Sequence, residues 1–302
     1  WVLKEMKAAQ DPDTRAGLQE FDRSLFGHIR YGISNAVRSF WFGLTGARFG
    51  AAPGDAYTRR YFRKLDRYSA NLALMADISM MTLGGKLKFK ESLSGRLGDV
   101  LSHIYMTSAM LKRYHDEGAP TADRPLLAWA FHDSVHKIEE SLSAALRNFP
   151  VRPIGWLMWA LIFPFGRRAE APGDRLGHRV AALLMAPNEA RDRLASGVFL
   201  TPCENNPGGR INSYLSKAIM AEPVERKFIK ALKTKGIEAL DFVTQLDEAV
   251  AEGVITQDER TLLEELRTLT LETITVDDFD PEELRSAGYY KLQQKDAQSQ
   301  AA

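Results

Sequence analysis

The chain has 302 residues, of which 45% are hydrophobic and 26% charged, and its formal net charge is +1. That length suits one large domain or two ordinary ones with a sizeable core, and the charge balance excludes a global field steering nucleic acid or an anionic surface toward it. Cys203 is the single cysteine, which excludes an intrachain disulfide and a cysteine-only metal cluster.

Trp1 is followed by "VLKEMKAAQ", which reads as helix, with no initiator methionine and no signal-peptide pattern. The expectation is a piece cut from a longer polypeptide. Residues 1 to 45 read as one or two helices, and "GARFGAAPGDAY" (46 to 57) as a Gly/Pro/Ala linker. Residues 58 to 149 read as three long helices with short connections, the skeleton of an up-and-down bundle. The first includes "YSANLALMADISMMTL" and is closed by Gly84 and Gly85. The second places Leu93, Leu97, Val100, Ile104 and Leu111 on one stripe, with the small Thr107 filling the remaining place. The third begins a few residues after Pro120 and carries Phe131, Val135, Ile138, Leu142, Ala145 and Phe149 at alternating four and three. Pro150 and Pro153 mark its end.

"RPIGWLMWALIFPFGRR" (152 to 168) is the most apolar stretch. Twelve residues separate Ile154 from Phe165 inclusive. As a helix they rise about 18 Å, short of the roughly 30 Å hydrocarbon core of a bilayer, so a transmembrane span is rejected. The stretch is apolar on all faces, which leaves burial inside the fold or attachment to a membrane surface. In the second alternative Trp156, Leu157, Trp159, Leu161, Ile162 and Phe163 enter the interface, with Arg152, Arg167 and Arg168 near head groups.

Residues 169 to 215 are broken by Pro172, Pro187, Pro202, Pro207 and the pair Gly208–Gly209, and read as short helices and loops. Helices resume from about 216. "EALDFVTQLDEAVAEG" stops at Gly253, a left-handed cap position. Thr256 then opens a helix as a capping box with Glu259. The tail from 291 to 302, "QQKDAQSQAA" with the residues before it, reads as disordered. With no sustained period-two alternation, the fold class is all-α: a helical bundle with irregular Pro/Gly-rich segments.

Catalytic motifs are mostly missing. No Gly-rich phosphate loop follows a strand, and no nucleophile elbow occurs. "HDSVH" sets His132 and His136 four apart with Glu139 and Glu140 one turn on, a spacing open to a metal and equally to the rim of a buried surface, which is the favoured reading. Cys203 sits in "TPCENNPGG" with nothing nearby to activate it. In "RRYFRKLDRY", Arg60, Arg63, Lys64 and Arg67 share one helical face while Tyr61, Leu65 and Tyr68 turn inward. Such a face suits a phosphate of a nucleotide, a CoA-type ligand or a lipid head group, or else is a solvated face paired with acidic neighbours. "KLKFK" (86 to 90) adds three lysines.

Six blocks occur in one order: "SNAVRSFWFGLT", the stretch from Arg67 to Gly118, "FPVRPIGWLMWALIFPFGRR", "APNEARDRL", "GVFLTP" and "TVDDFDPEEL". Together they resemble the C-terminal region of the long bacterial fatty-acid-degradation acyl-CoA dehydrogenases, over nearly the whole chain. The resemblance implies that residues 1 to 45 complete the dehydrogenase core and that 58 to 290 form an appended helical domain. It implies a parent that uses FAD to convert fatty acyl-CoA to trans-2-enoyl-CoA in β-oxidation, passing electrons to an electron-transferring flavoprotein. The base of that reaction is a carboxylate expected upstream of Trp1, so no catalytic residue is carried over, and the flavin is expected to be held mainly by domains upstream. Similar domains in very-long-chain acyl-CoA dehydrogenases pack on the core and associate with membranes. The resemblance thus implies a cytoplasmic protein, either free or peripheral on the cytoplasmic face of the inner membrane, with a structural, homodimer or membrane-contact role for this portion and no nucleic-acid partner. A helical interaction module without chemistry of its own is the alternative.

Overall fold

The computed structural model describes residues 1–203, 206–235 and 241–275. The described residues form eleven α-helices and no strand; the extended pairing among them is one isolated bridge between Cys203 and Asn206. The all-α expectation holds. The chain divides into two compact units, Trp1–Leu184 and Met185–Ala302.

The first unit contains α1 (Val2–Ala9), α2 (Thr14–Thr45), α3 (Arg59–Leu83), α4 (Glu91–Asp116), α5 (Arg124–Arg147), α6 (Arg152–Ile162) and α7 (Asp174–Leu184). Asp13 opens α2 by accepting hydrogen bonds from the backbone of Arg15 and Ala16, and Gly46 closes it at φ +62°. A positive φ there is cheap for glycine and costly for any residue with a Cβ. Gly84 closes α3 in the same way at φ +50°. The α5 stripe (Phe131, Val135, Ile138, Leu142, Ala145, Phe149) is wholly buried, and meets Tyr61, Leu65 and Tyr68 of α3 and Leu93, Val100 and Leu111 of α4 in one core. Each large apolar side chain so buried contributes roughly 1.5–3 kcal/mol. Thr107 is buried in the place between Ile104 and Leu111, its hydroxyl donating to the His103 carbonyl. α6 then folds back on the end of α5. A Cβ on Gly155 would lie 3.0 Å from the Leu146 carbonyl, so the close approach depends on glycine.

The second unit contains α8 (Glu189–Leu194), α9 (Pro207–Lys235), α10 (Phe242–Ala251) and α11 (Gln257–Ile274). Its core gathers Ala221, Phe228, Leu246, Ala249, Ile255 and Leu263. Gly253 has φ +64° just past α10, and Thr256 and Glu259 form the reciprocal capping box of α11. One expectation fails here. Helix resumes at Pro207, not near 216, because proline is tolerated in a first turn where its missing N–H has no partner to lose. Gly208 and Gly209 lie inside α9; a Cβ on Gly209 would sit 2.4 Å from the Thr201 carbonyl, so glycine here serves close packing rather than a break. The tail from 291 to 302, and most of "TVDDFDPEEL", lie outside the described residues.

Candidate functional site: a basic cavity and two apolar surfaces

α3 carries the basic run, and its inward residues Tyr61, Leu65 and Tyr68 are buried as the spacing requires. The four cations of the other face take different partners. Arg60 stacks over the rings of Tyr57 (4.8 Å) and Tyr61 (4.7 Å) and donates to the Tyr61 hydroxyl at 2.9 Å. Burial and the neighbouring Tyr57 push the Tyr61 phenol up to about 12. Arg63 donates to the Gly50 carbonyl at 2.7 Å, holding the loop after α2. Arg60 and Arg63 therefore serve as struts within the fold, whereas Lys64 and Arg67 line the cavity described below. Lys86, Lys88 and Lys90 lie exposed between α3 and α4, outside the cavity described next.

Lys64 and Arg67 turn toward Glu139 of α5. Glu139 is fully buried, and its oxygens accept the Tyr68 hydroxyl at 2.9 Å and the backbone N–H groups of Arg168 and Ala169 at 2.9 Å each. Arg67 is buried beside it, 3.7 Å from Glu139 Oε1, and donates to the Ile162 carbonyl at 3.1 Å. A buried carboxylate survives when its oxygens are satisfied in this way. Burial and the facing carboxylate both push the Tyr68 phenol up. Glu139 thus pins the loop after α6 to α5, a role the spacing from His132 did not disclose. His136 Nδ1 lies 3.1 Å from the Ala169 carbonyl and supports the same loop. No group of three metal-ligating side chains occurs among the described residues.

Around this hub opens a cavity of about 500 Å³, lined by Arg48, Lys64, Arg67, His132, Glu139, Arg168 and Glu170 among others. Burial holds the Lys64 ammonium below its ordinary range, with repulsion from Arg60 and Arg67 added and the attraction of Glu139 opposing it. Burial also depresses the His132 imidazole, and Lys64 and Arg60 repel its charged form.

α6 divides the apolar stretch into a buried face and an exposed one. Gly155, Met158 and Ile162 face inward, and Phe163 is buried just beyond the helix. Trp159 is half-buried with its ring 5.3 Å from that of Phe163, and Leu161 is half-buried too. Trp156 and Leu157 remain 67% and 62% exposed. Ile162 and Phe163 are covered by the bundle core. Of the arginines, Arg152 caps the Arg147 carbonyl, Arg167 is exposed, and Arg168 lies 4.7 Å over the Phe165 ring while lining the basic cavity. No described helix is long and apolar enough to cross a membrane.

A second, larger cavity of about 800 Å³ lies among α1, α2, α3 and α6, lined by apolar side chains such as Ile29, Ile33, Met80, Leu157 and Leu161. Its polar groups are Glu5, His28 and Asp77; His28 Nδ1 is 2.9 Å from Glu5 and Nε2 is 3.6 Å from Asp77. Beside it α2 is built inside out. Its buried positions are Gly17, Ser24, Asn35, Ser39 and Gly43, while Phe26, Ile29, Ile33, Val37, Phe40 and Leu44 form an exposed stripe. Phe26 is 67% exposed, and Ile33 and Val37 are 61%. The spacings of three and four along that stripe were readable in the sequence; its outward direction was not.

The family model described as "Acyl-CoA dehydrogenase, C-terminal, bacterial type" matches residues 1–279. The chain belongs to this family. No solved structure matches it. As a bacterial-type acyl-CoA dehydrogenase C-terminal region, it takes its setting from an oxidoreductase family of fatty-acid metabolism, and that family implies FAD. The side chains described here do not fit a flavin. A flavin needs a long apolar slot continuous with donors for its diphosphate. The large cavity of this acyl-CoA dehydrogenase region has no lysine or arginine in its lining and two carboxylates that repel phosphate. The basic cavity has the donors without the slot.

Proposed function

We propose that this chain is the C-terminal helical portion of an FAD-dependent acyl-CoA dehydrogenase that converts fatty acyl-CoA to trans-2-enoyl-CoA, and that it braces that enzyme without performing the chemistry. The base for the α-proton and the flavin that would supply the redox chemistry would both be held elsewhere in the parent. Electrons leave to an electron-transferring flavoprotein. The observation that carries this reading is the outward stripe of α2. Six large apolar side chains in register over five turns are an interface waiting for a partner, since monomers seldom leave so continuous a patch to water. The partner is the parent's dehydrogenase core, whose helical bundle residues 1 to 45 complete; 58 to 290 are the appended domain.

The test compares two proteins. In this chain alone, Ile33→Glu with Val37→Glu leaves the unfolding midpoint unchanged. In the parent the same pair exposes the core seam, lowering flavin retention and turnover together. A double variant with unaltered flavin content and activity in the parent overturns the assignment. This chain purified alone is colourless, while the parent is yellow and bleached by acyl-CoA; stoichiometric flavin in the chain alone also overturns it.

The exposed Trp156–Leu157 pair supports a second role, peripheral attachment of the cytoplasmic enzyme to the inner membrane. Trp156→Ser with Leu157→Ser lowers co-sedimentation of the parent with anionic vesicles and leaves its fold intact. Unchanged sedimentation reassigns the pair to a protein contact such as a homodimer seam.

A further inference from the structure

The basic cavity of the first unit is unrelated to the outward faces of α2 and α6. Its charged and imidazole groups come from four places in the chain: Arg48 from the loop after α2, Lys64 and Arg67 from α3, His132 and Glu139 from α5, and Arg168 and Glu170 from the loop after α6. Glu139 is fully engaged by Tyr68, the loop backbone and Arg67. Arg48, Lys64 and Arg168 are then left facing the single carboxylate of Glu170, which is exposed. Among the described residues no side chain accepts a hydrogen bond from the Lys64 ammonium, whose near neighbour is the face of Phe131, 5.9 Å away. Arg67 is nine-tenths buried, and its Nε has no hydrogen-bond partner.

We infer that this cavity binds the phosphate group of a soluble small molecule, a phosphomonoester or a diphosphate, between Lys64, Arg48 and Arg168, over a floor fixed by the Arg67–Glu139 pair. Guanidinium forks and an ammonium on one concave wall match the several oxygens of a phosphate better than the two of a carboxylate. An arriving dianion replaces the water that burial denies Lys64 and relieves its repulsion by Arg60 and Arg67. His132, held neutral by the same surroundings, supplies a hydrogen bond without adding charge. A recess of about 500 Å³ accommodates a phosphate on a small molecule, whereas the flat surface of a bilayer cannot enter it. The site stands or falls independently of the parent's chemistry.

The test is thermal unfolding of the full 302-residue chain in inorganic pyrophosphate against chloride at matched ionic strength. Ligand that binds only the folded state raises the midpoint, by about 2–4 °C when well above its dissociation constant. Lys64→Met abolishes the rise, Lys64→Arg keeps most of it, and Lys112→Gln on the outer face of α4 changes nothing. If Lys64→Met fails to fold by circular dichroism, Arg168→Gln carries the same expectation, because Arg168 holds Glu139 through its backbone alone. No rise over chloride, or an equal rise in Lys64→Met, overturns the proposal. A vesicle arm separates the source of the phosphate. Wild type and Lys64→Met bind phosphatidylglycerol vesicles equally if the ligand is soluble. Vesicle binding that depends on Lys64, without a pyrophosphate response, overturns the soluble assignment in favour of a lipid head group.

Discussion

α5 and α2 carry apolar stripes of the same period and use them in opposite ways. On α5, Phe131, Val135, Ile138 and Leu142 are the centre of the first unit's core, and its polar positions lie to either side. On α2, six large apolar residues face water while the fully buried positions are serine, asparagine and glycine. Small inward residues let α2 lie close to its neighbours: a Cβ on Gly43 would meet Pro164 at 2.8 Å. The helix is therefore docked by its thin side and keeps its thick side for something else. A helical period reveals that a face exists and says nothing about what the face will meet.

The comparison can be broken most directly by truncating one ring on each helix. Phe131→Ala should cost about 3–5 kcal/mol in denaturant unfolding, as a large cavity in a packed core does. Phe26→Ala in the same chain should stay within about 0.5 kcal/mol of wild type, as exposed substitutions do. Equal losses at the two sites would mean that the α2 stripe is already covered. A smaller effect sharpens the account of how α5 holds the loop after α6. Glu139→Gln keeps the shape but removes the charge that the Tyr68 hydroxyl and the Arg168 and Ala169 backbones address, and should cost about 1.5–3 kcal/mol. An unchanged denaturation midpoint would show that the loop is pinned by other contacts. Smaller again is the capping box of the second unit: Thr256→Ala removes an acceptor from the Glu259 N–H and should cost about 1 kcal/mol. The first unit's own unfolding transition should not move.

The least of these effects depends on pH. His132 is held below its ordinary pKa of 6.5 first by burial and then by Lys64 and Arg60. The folded state binds fewer protons than the unfolded chain below 6.5. The stability conferred is complete above that pH and is lost as pH falls through the depressed folded value. His132→Gln should flatten the fall in stability between neutral and mildly acidic pH. An identical slope in the variant would assign the acid sensitivity to the carboxylates.

Much of the secondary structure was legible because its signals are local. The α5 stripe, the glycines that end α3 and follow α10, and the Thr256–Glu259 box each rest on residues within a few positions of one another. Pro207–Gly209 misled because proline and glycines read as a break, and their tolerance in a first helical turn depends on Thr201 packing against Gly209. The candidate site was half legible. The basic run was visible, yet the different partners its cations take depend on Tyr57, Gly50 and Glu139, which spacing along α3 does not place. Arg48 and Arg168 join Lys64 only through folding.

By itself the sequence determined an all-α chain, its long helices, their apolar faces and its family. Tertiary structure alone decided that α5 looks inward and α2 outward, that Ile162 is buried while Trp156 is not, and that cations from three distant segments share one cavity. The physical reason is range. Helix formation and capping are settled by hydrogen bonds between residues three or four apart, whereas burial and the pairing of charges depend on which surfaces the packed helices leave uncovered.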